Sequence, residues 1–214
     1  MQSPRNYILF ILLFVLIACV PAIRPVSTPE VINVYASPAA QPWLKNLYDC
    51  AAKQSVTLRM TDLPTDAAIY IRIGEPDVLM TAAYQIDTEE ILIVTHRESP
   101  VQNLTLDQAR ALFAGQGDPS VKVLVYSEDD DIQKVFDQAV MAGRSISSSA
   151  SLAVSPQQMS DVLNAESNSV GILPRHWKAG TVRDVYSVAT VPVLAIVKEE
   201  PQGTIKEMLS CLQK

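Results

Sequence analysis

From Val31 onward the hydrophobic period of the chain keeps switching between two residues and about 3.6. Short β-branched runs predict strands over 31–35, 56–60, 68–72, 90–95, 121–126 and 169–173, with one or two more in 185–197. Between them apolar residues recur at helical spacing. Pro42 opens a first helix with Leu44, Leu47 and Ala51 on one side. Thr105-Leu106-Asp107-Gln108 has the form of a capping box, with Ala109, Leu112 and Phe113 behind it and Gly115 as the stop. Ile132, Val135, Phe136 and Val140 mark a third helix. Ser155-Pro156 starts a fourth, and 205–212 closes the chain as a fifth. Alternation of this kind predicts an α/β architecture with mostly parallel sheet.

A greasy leader precedes this pattern. Arg5 is followed by an uncharged stretch from Tyr7 to Ile23, roughly 17 residues, the lower edge of what can span a bilayer. It contains Leu16-Ile17-Ala18-Cys19, which resembles the bacterial lipobox. The expectation is a signal peptide over 1–18, a lipid on Cys19 and a Pro-rich tether over 19–30. An uncleaved anchor is the alternative. Either one holds the chain at the cell membrane, on its extracytoplasmic face.

The net charge is −6, so the chain lacks the basic stripe that a phosphate backbone needs, and nucleic acid is not an expected partner. Besides Cys19 there are Cys50 and Cys211, an even pair in an oxidising compartment. A disulfide between them would tie the first helix to the last; two free buried thiols are the alternative.

Three stretches resemble the phosphate-type substrate-binding proteins of ABC transporters. Residues 91–115 carry a strand, then Ser99-Pro100-Val101-Gln102-Asn103-Leu104-Thr105, then Leu112-Phe113-Ala114-Gly115. They are similar to that family's hinge strand, its N-P-V-x-N-L-T turn and its L-x-x-I-F-x-G helix. Ser169-Val170-Gly171-Ile172 is similar to its A-I-G-Y strand. Residues 126–136 sit where the family has a strand, a ligand loop and T-R-x-x-F. The resemblance implies a type 2 periplasmic-binding-protein-like fold, two α/β lobes joined by two crossing strands. Lobe 1 would hold 30–94 plus 185–214, and lobe 2 would hold 95–184. A ligand would bind between them, and closure about the crossings would bury it.

The ligand loops depart from the family pattern. Where the resemblance implies a Gly-Ser-Gly-Thr-like loop, this chain has Ser127-Glu128-Asp129-Asp130-Asp131. Unit charges at ~4 Å repel by about 1 kcal/mol in water and about 4 at an effective dielectric of 20. Several such pairs outweigh amide hydrogen bonds of roughly 1.5–3 kcal/mol each, so inorganic phosphate is not expected there. Either Ser127 caps the helix and the acids sit on its first turn, or Glu128, Asp129 and Asp130 face the cleft and select a cation or an amine. In the first family loop Ser37 and Gln41 could touch a ligand or fill ordinary turn roles. Arg72 either reaches the cleft or pairs at the surface with Glu75 or Asp77. The serines at 145, 147, 148, 149 and 151 form a hydroxyl-rich loop that either lines the cleft or is a solvated connection.

Enzyme signals are weak. His96 and His176 are isolated, no serine lies in a Gly-x-Ser-x-Gly elbow, and no metal-ligand spacing or cofactor motif is present. The expected function is capture of a small molecule or ion in the cleft by a lipid-anchored solute-binding protein, with an ABC permease as the partner the resemblance implies. The alternative is an interaction lipoprotein that keeps the fold and has lost its ligand.

Overall fold

The computed structural model describes residues 30–78 and 81–213. The leader, Cys19 and most of the tether lie outside the described residues. No described helix is long and apolar enough to cross a membrane.

The β-branched runs form β1 (Val31–Ala36), β2 (Thr57–Met60), β3 (Ile69–Ile73), β4 (Ala82–His96), β5 (Lys122–Val125), β6 (Ser151–Leu152), β7 (Ser169–Pro174) and β8 (Val182–Val197). They share one hydrogen-bonded ladder in the order β2-β1-β3-β8-β4-β7-β5-β6. The ladder has two halves because two strands are far longer than the rest. β4 and β8 run antiparallel along their whole length, from Ala82 opposite Val197 to His96 opposite Val182. β3 flanks β8 only at Val193–Val197, and β7 flanks β4 only at residues 91–95. Residues 88–90 and 190–192 pair as strands only with each other, with one further bond from the Gly74 amide to the Pro192 carbonyl at 2.8 Å. Pro192, which has no N–H to donate, is tolerated there because the β3 ladder stops at Val193. This bare two-stranded ribbon is the crossing between the halves.

The sheet is less parallel than the pattern predicts. β1 pairs with β2 and β3 in parallel, as β5 does with β6 and β7, but every ladder involving a crossing strand is antiparallel. β8 runs back along β4 and lies antiparallel to both its neighbours, β3 and β4, and β7 runs antiparallel to β4. A second correction concerns Pro42. It sits inside a 3-10 turn, Pro38–Trp43, and the first α-helix, α1 (Leu44–Lys53), begins after it.

The first half packs α1 and the last helix, α5 (Gly203–Leu212), beside β1–β3; Leu47, Ile69, Ile71 and Ile73 are fully buried there. Cys50 of α1 and Cys211 of α5 form a disulfide. The second half packs α2 (Leu106–Ala111), α3 (Asp131–Phe136) and α4 (Pro156–Ala165) around β5–β7. The rings of Phe113 and Phe136 meet in its core with centroids 4.5 Å apart.

The capping box at Thr105 forms in full. The Thr105 hydroxyl accepts from the Gln108 amide, and the Gln108 side chain accepts from the Thr105 amide. Thr105→Ala should cost about 1 kcal/mol in urea unfolding, with the slope of the transition unchanged.

Candidate functional site

The site is built where β1 and β3 of the first half face α3 of the second. Ser37 follows β1, and its amide donates to the Ile71 carbonyl at 2.9 Å, which pins the loop to β3. Ser37 is buried, while Gln41, in the 3-10 turn beyond, is exposed. β3 delivers Arg72 from the same side.

From the second half, β5 runs into the acidic loop. Ser127, Glu128 and Asp129 are exposed. The helix cap is Asp130, not Ser127: its carboxylate accepts from the Ile132 amide at 2.8 Å. Asp131, the first residue of α3, turns inward. Its Oδ1 lies 2.9 Å from Arg72 Nη2, with only 8% of the Arg72 side chain and 7% of the Asp131 side chain exposed. Its Oδ2 accepts from the Ile73 amide at 3.4 Å. Arg72 thus takes neither Glu75 nor Asp77; Asp77 instead meets Lys134 of α3.

Burial pushes the Asp131 carboxyl above the usual carboxylate range, against the opposing pull of Arg72 and then of the Ser37 hydroxyl. That hydroxyl is near enough to act on the charge but makes no full hydrogen bond among the described residues, and neither does Arg72 Nε. Asp130 is also raised, mainly by burial. Two tyrosines stand beside the pair. Tyr35 and Tyr70 meet edge to face with centroids 5.2 Å apart, and the Arg72 guanidinium lies 6.0 Å from the Tyr70 ring centre. Burial, then the Asp131 charge, raises both phenols, so they stay protonated at neutral pH.

The halves touch at Gly74 as well. Its φ is +73°, and a Cβ there would sit 2.9 Å from Val135 Cγ2 of α3. Gly74→Ala should cost roughly 1–3 kcal/mol, from left-handed strain plus overpacking. Thermal melts should show the loss, and small-angle scattering should show a wider molecule as α3 is pushed away.

A second bridge lies at the crossing. Buried Glu89 in the ribbon holds His176 Nδ1 at 2.6 Å, and the His176 ring lies 4.6 Å from that of Trp43. Trp177 Nε1 donates to the Ala39 carbonyl at 2.9 Å, and Arg175 pairs with Glu90 at 2.7 Å. The basic-aromatic run 175–178 therefore docks the second half onto the 3-10 turn of the first. Ser145, Ser147 and Ser148 join Tyr126, Glu128 and Arg144 around an open hollow of about 850 Å³, which is lined from the second half alone. Among the described residues, no group of three or more His, Cys, Asp or Glu could hold a metal ion.

No family model matches the chain, and no curated relative matches it in sequence. Solved structures do match. A protein described as a phosphate ABC transporter substrate-binding protein from Clostridium perfringens, with bound phosphate, aligns with a TM-score of 0.75 at 14% identity, over 86% of this chain and 93% of that one. The chain has the periplasmic-binding-protein-like fold. An ABC-type phosphate transport receptor from Vibrio cholerae aligns at 0.64 and 14% identity, with the same coverage. The same periplasmic-binding-protein-like fold recurs in the reduced regulatory domain of OxyR2 from Vibrio vulnificus, at 0.65 and 10% identity, over 90% of this chain and 97% of that one.

The structure brings Ser37, Arg72 and the acidic loop to one place, and leaves Gln41, Ser127, Glu128 and Asp129 in solvent. Asp131 is a site residue that does not stand out from the sequence. One signal was present: Asp131 shares a helical face with apolar Val135, four residues on, while Asp129 and Asp130 precede the helix.

Proposed function

We propose that the chain is a lipid-anchored, extracytoplasmic binding protein, and that its cleft presents a solute other than phosphate to a membrane partner. The observation that carries this reading is the turned-in Asp131. The fold supports a ligand cleft between the halves, and the contact between them holds the Asp131 carboxylate on the loop where the resemblance implies amide and hydroxyl donors for phosphate. Asp130 caps α3 beside it, and Glu128 and Asp129 stay exposed on the same loop, so the negative charge of this loop favours cationic or amine-bearing solutes and repels multivalent anions. Work would be done by opening and closing about the crossing ribbon, with no bond chemistry.

A second reading, an interaction lipoprotein without a ligand, is favoured by the same pair in another respect. Arg72 and Asp131 already join the halves, as a bound solute would. A thermal-shift screen of amines, amino acids, metals and anions separates the two. A saturable shift with an amine supports the first reading, and silence across the screen supports the second. Tight phosphate capture would overturn both. Mass spectrometry of the mature protein tests the anchor: a diacyl or triacyl mass on Cys19 supports it, and an intact Met1 points to an uncleaved segment.

A further inference from the structure

We propose that the Asp131 carboxylate is a tethered occupant of a carboxylate-binding site, clamping the two halves shut from within. The donors and the acceptor come from opposite halves. Arg72 Nη2 and the Ile73 amide belong to β3, and both donate to one carboxylate carried on α3. The arrangement is that of a receptor and a ligand, except that a single chain supplies both. Donor capacity also exceeds what the occupant uses: Arg72 Nε and Ser37 Oγ are buried and lack hydrogen-bond partners among the described residues. A site shaped only to pair two side chains has no need of that surplus, whereas a free carboxylate with its own freedom of position could use it. Asp130, which caps α3 next to Asp131, adds a second negative charge beside the site and disfavours multiply charged anions, so the class that fits is a small monocarboxylate.

The inference rests on the binding-protein reading only in placing a ligand cleft between the halves. It needs no particular solute of the open cleft, because the monocarboxylate enters only where Asp131 has been removed.

Chemical rescue tests it. Melting temperatures of wild type, Asp131→Ala and the double variant Arg72→Ala with Asp131→Ala are compared in acetate and in chloride at equal ionic strength. Asp131→Ala should melt lower than wild type and recover most of that loss, saturably, in millimolar acetate. Wild type should respond alike to both salts, and the double variant should show no rescue. A folded Asp131→Ala protein that ignores acetate overturns the proposal, as does a wild type that responds as strongly as the variant. If Asp131→Ala gives no soluble protein in either salt, Asp131→Asn decides. It keeps the side-chain shape and removes the charge, so the clamp should loosen and the radius of gyration should rise; an unchanged radius overturns the clamp. A wild-type amine shift without acetate rescue leaves the binding-protein reading standing and removes this inference. Rescue with a wild type silent to every solute does the reverse.

Discussion

Replacing Arg72 by alanine should lower the unfolding free energy by about 3–5 kcal/mol, because it strands the Asp131 carboxylate in a buried place with no counter-charge. The double replacement Arg72→Met with Asp131→Leu should behave quite differently. It removes both desolvated charges together, and its stability should match wild type or exceed it. Urea unfolding of the three proteins checks both statements, and a double variant as weak as Arg72→Ala would show that the pair is a net source of stability. The direction of the Asp131 shift supports this expectation: burial outweighs Arg72 and raises the carboxyl. Between its unfolded and folded pKa values the folded chain then binds more protons than the unfolded one. The stability linked to this group is full below the ordinary carboxylate value of about 3.9 and falls as pH climbs through the raised value. Asp131→Asn should flatten that descent, visible as a smaller drop in melting temperature from about pH 4 upward. The pair is therefore better understood as a device for holding a particular arrangement of the halves than as a source of stability.

Elements with local causes were legible in the sequence. The capping box at Thr105 and the buried faces of α1 and α3 follow from spacing within a few residues and stand where the pattern predicts, and Gly115 takes a left-handed conformation (φ 79°) in the π-helical turn Leu112–Gln116 that prolongs α2. The lengths of the crossing strands were not legible. β4 extends back to Ala82 through Gln85, Asp87 and Glu89, polar residues that read as a connection because a crossing ribbon needs no buried face on both sides. The site was half visible. Arg72 and the acidic loop were both singled out, but a pairing 59 positions apart across two halves leaves no periodic trace. Nor does a run of four acids show which of them turns inward; that is decided by where the helix starts, and Asp130 takes the cap. His176 looks isolated in sequence for the same reason, since its partner Glu89 lies 87 positions away on the crossing strand β4.

Loss of the Cys50–Cys211 disulfide should be the other large effect. The two cysteines are 161 residues apart in sequence, so the bond closes a loop that contains the whole second half and both crossings. Chain entropy for a loop of that size predicts about 5 kcal/mol, and removal of native disulfides typically costs 2–5 kcal/mol. The paired change Cys50→Ala with Cys211→Ala should therefore lower the urea midpoint strongly, while far-UV dichroism of the folded baseline stays close to wild type. α5 would keep Met208 and Leu209 in the first-half core, so what the bond supplies is constraint on the unfolded chain more than native contacts. The disulfide ties α1 to α5 within one half, whereas Arg72–Asp131 joins the two halves through β3 and α3. Distant, independent sites add to within about 0.5 kcal/mol. The cysteine changes combined with Arg72→Ala should show that additivity, and acetate rescue of Asp131→Ala should survive reduction of the disulfide. Strong coupling between the two would mean that closing the first half and clamping the cleft are one cooperative event, and the tethered-carboxylate account would then have to extend as far as α5.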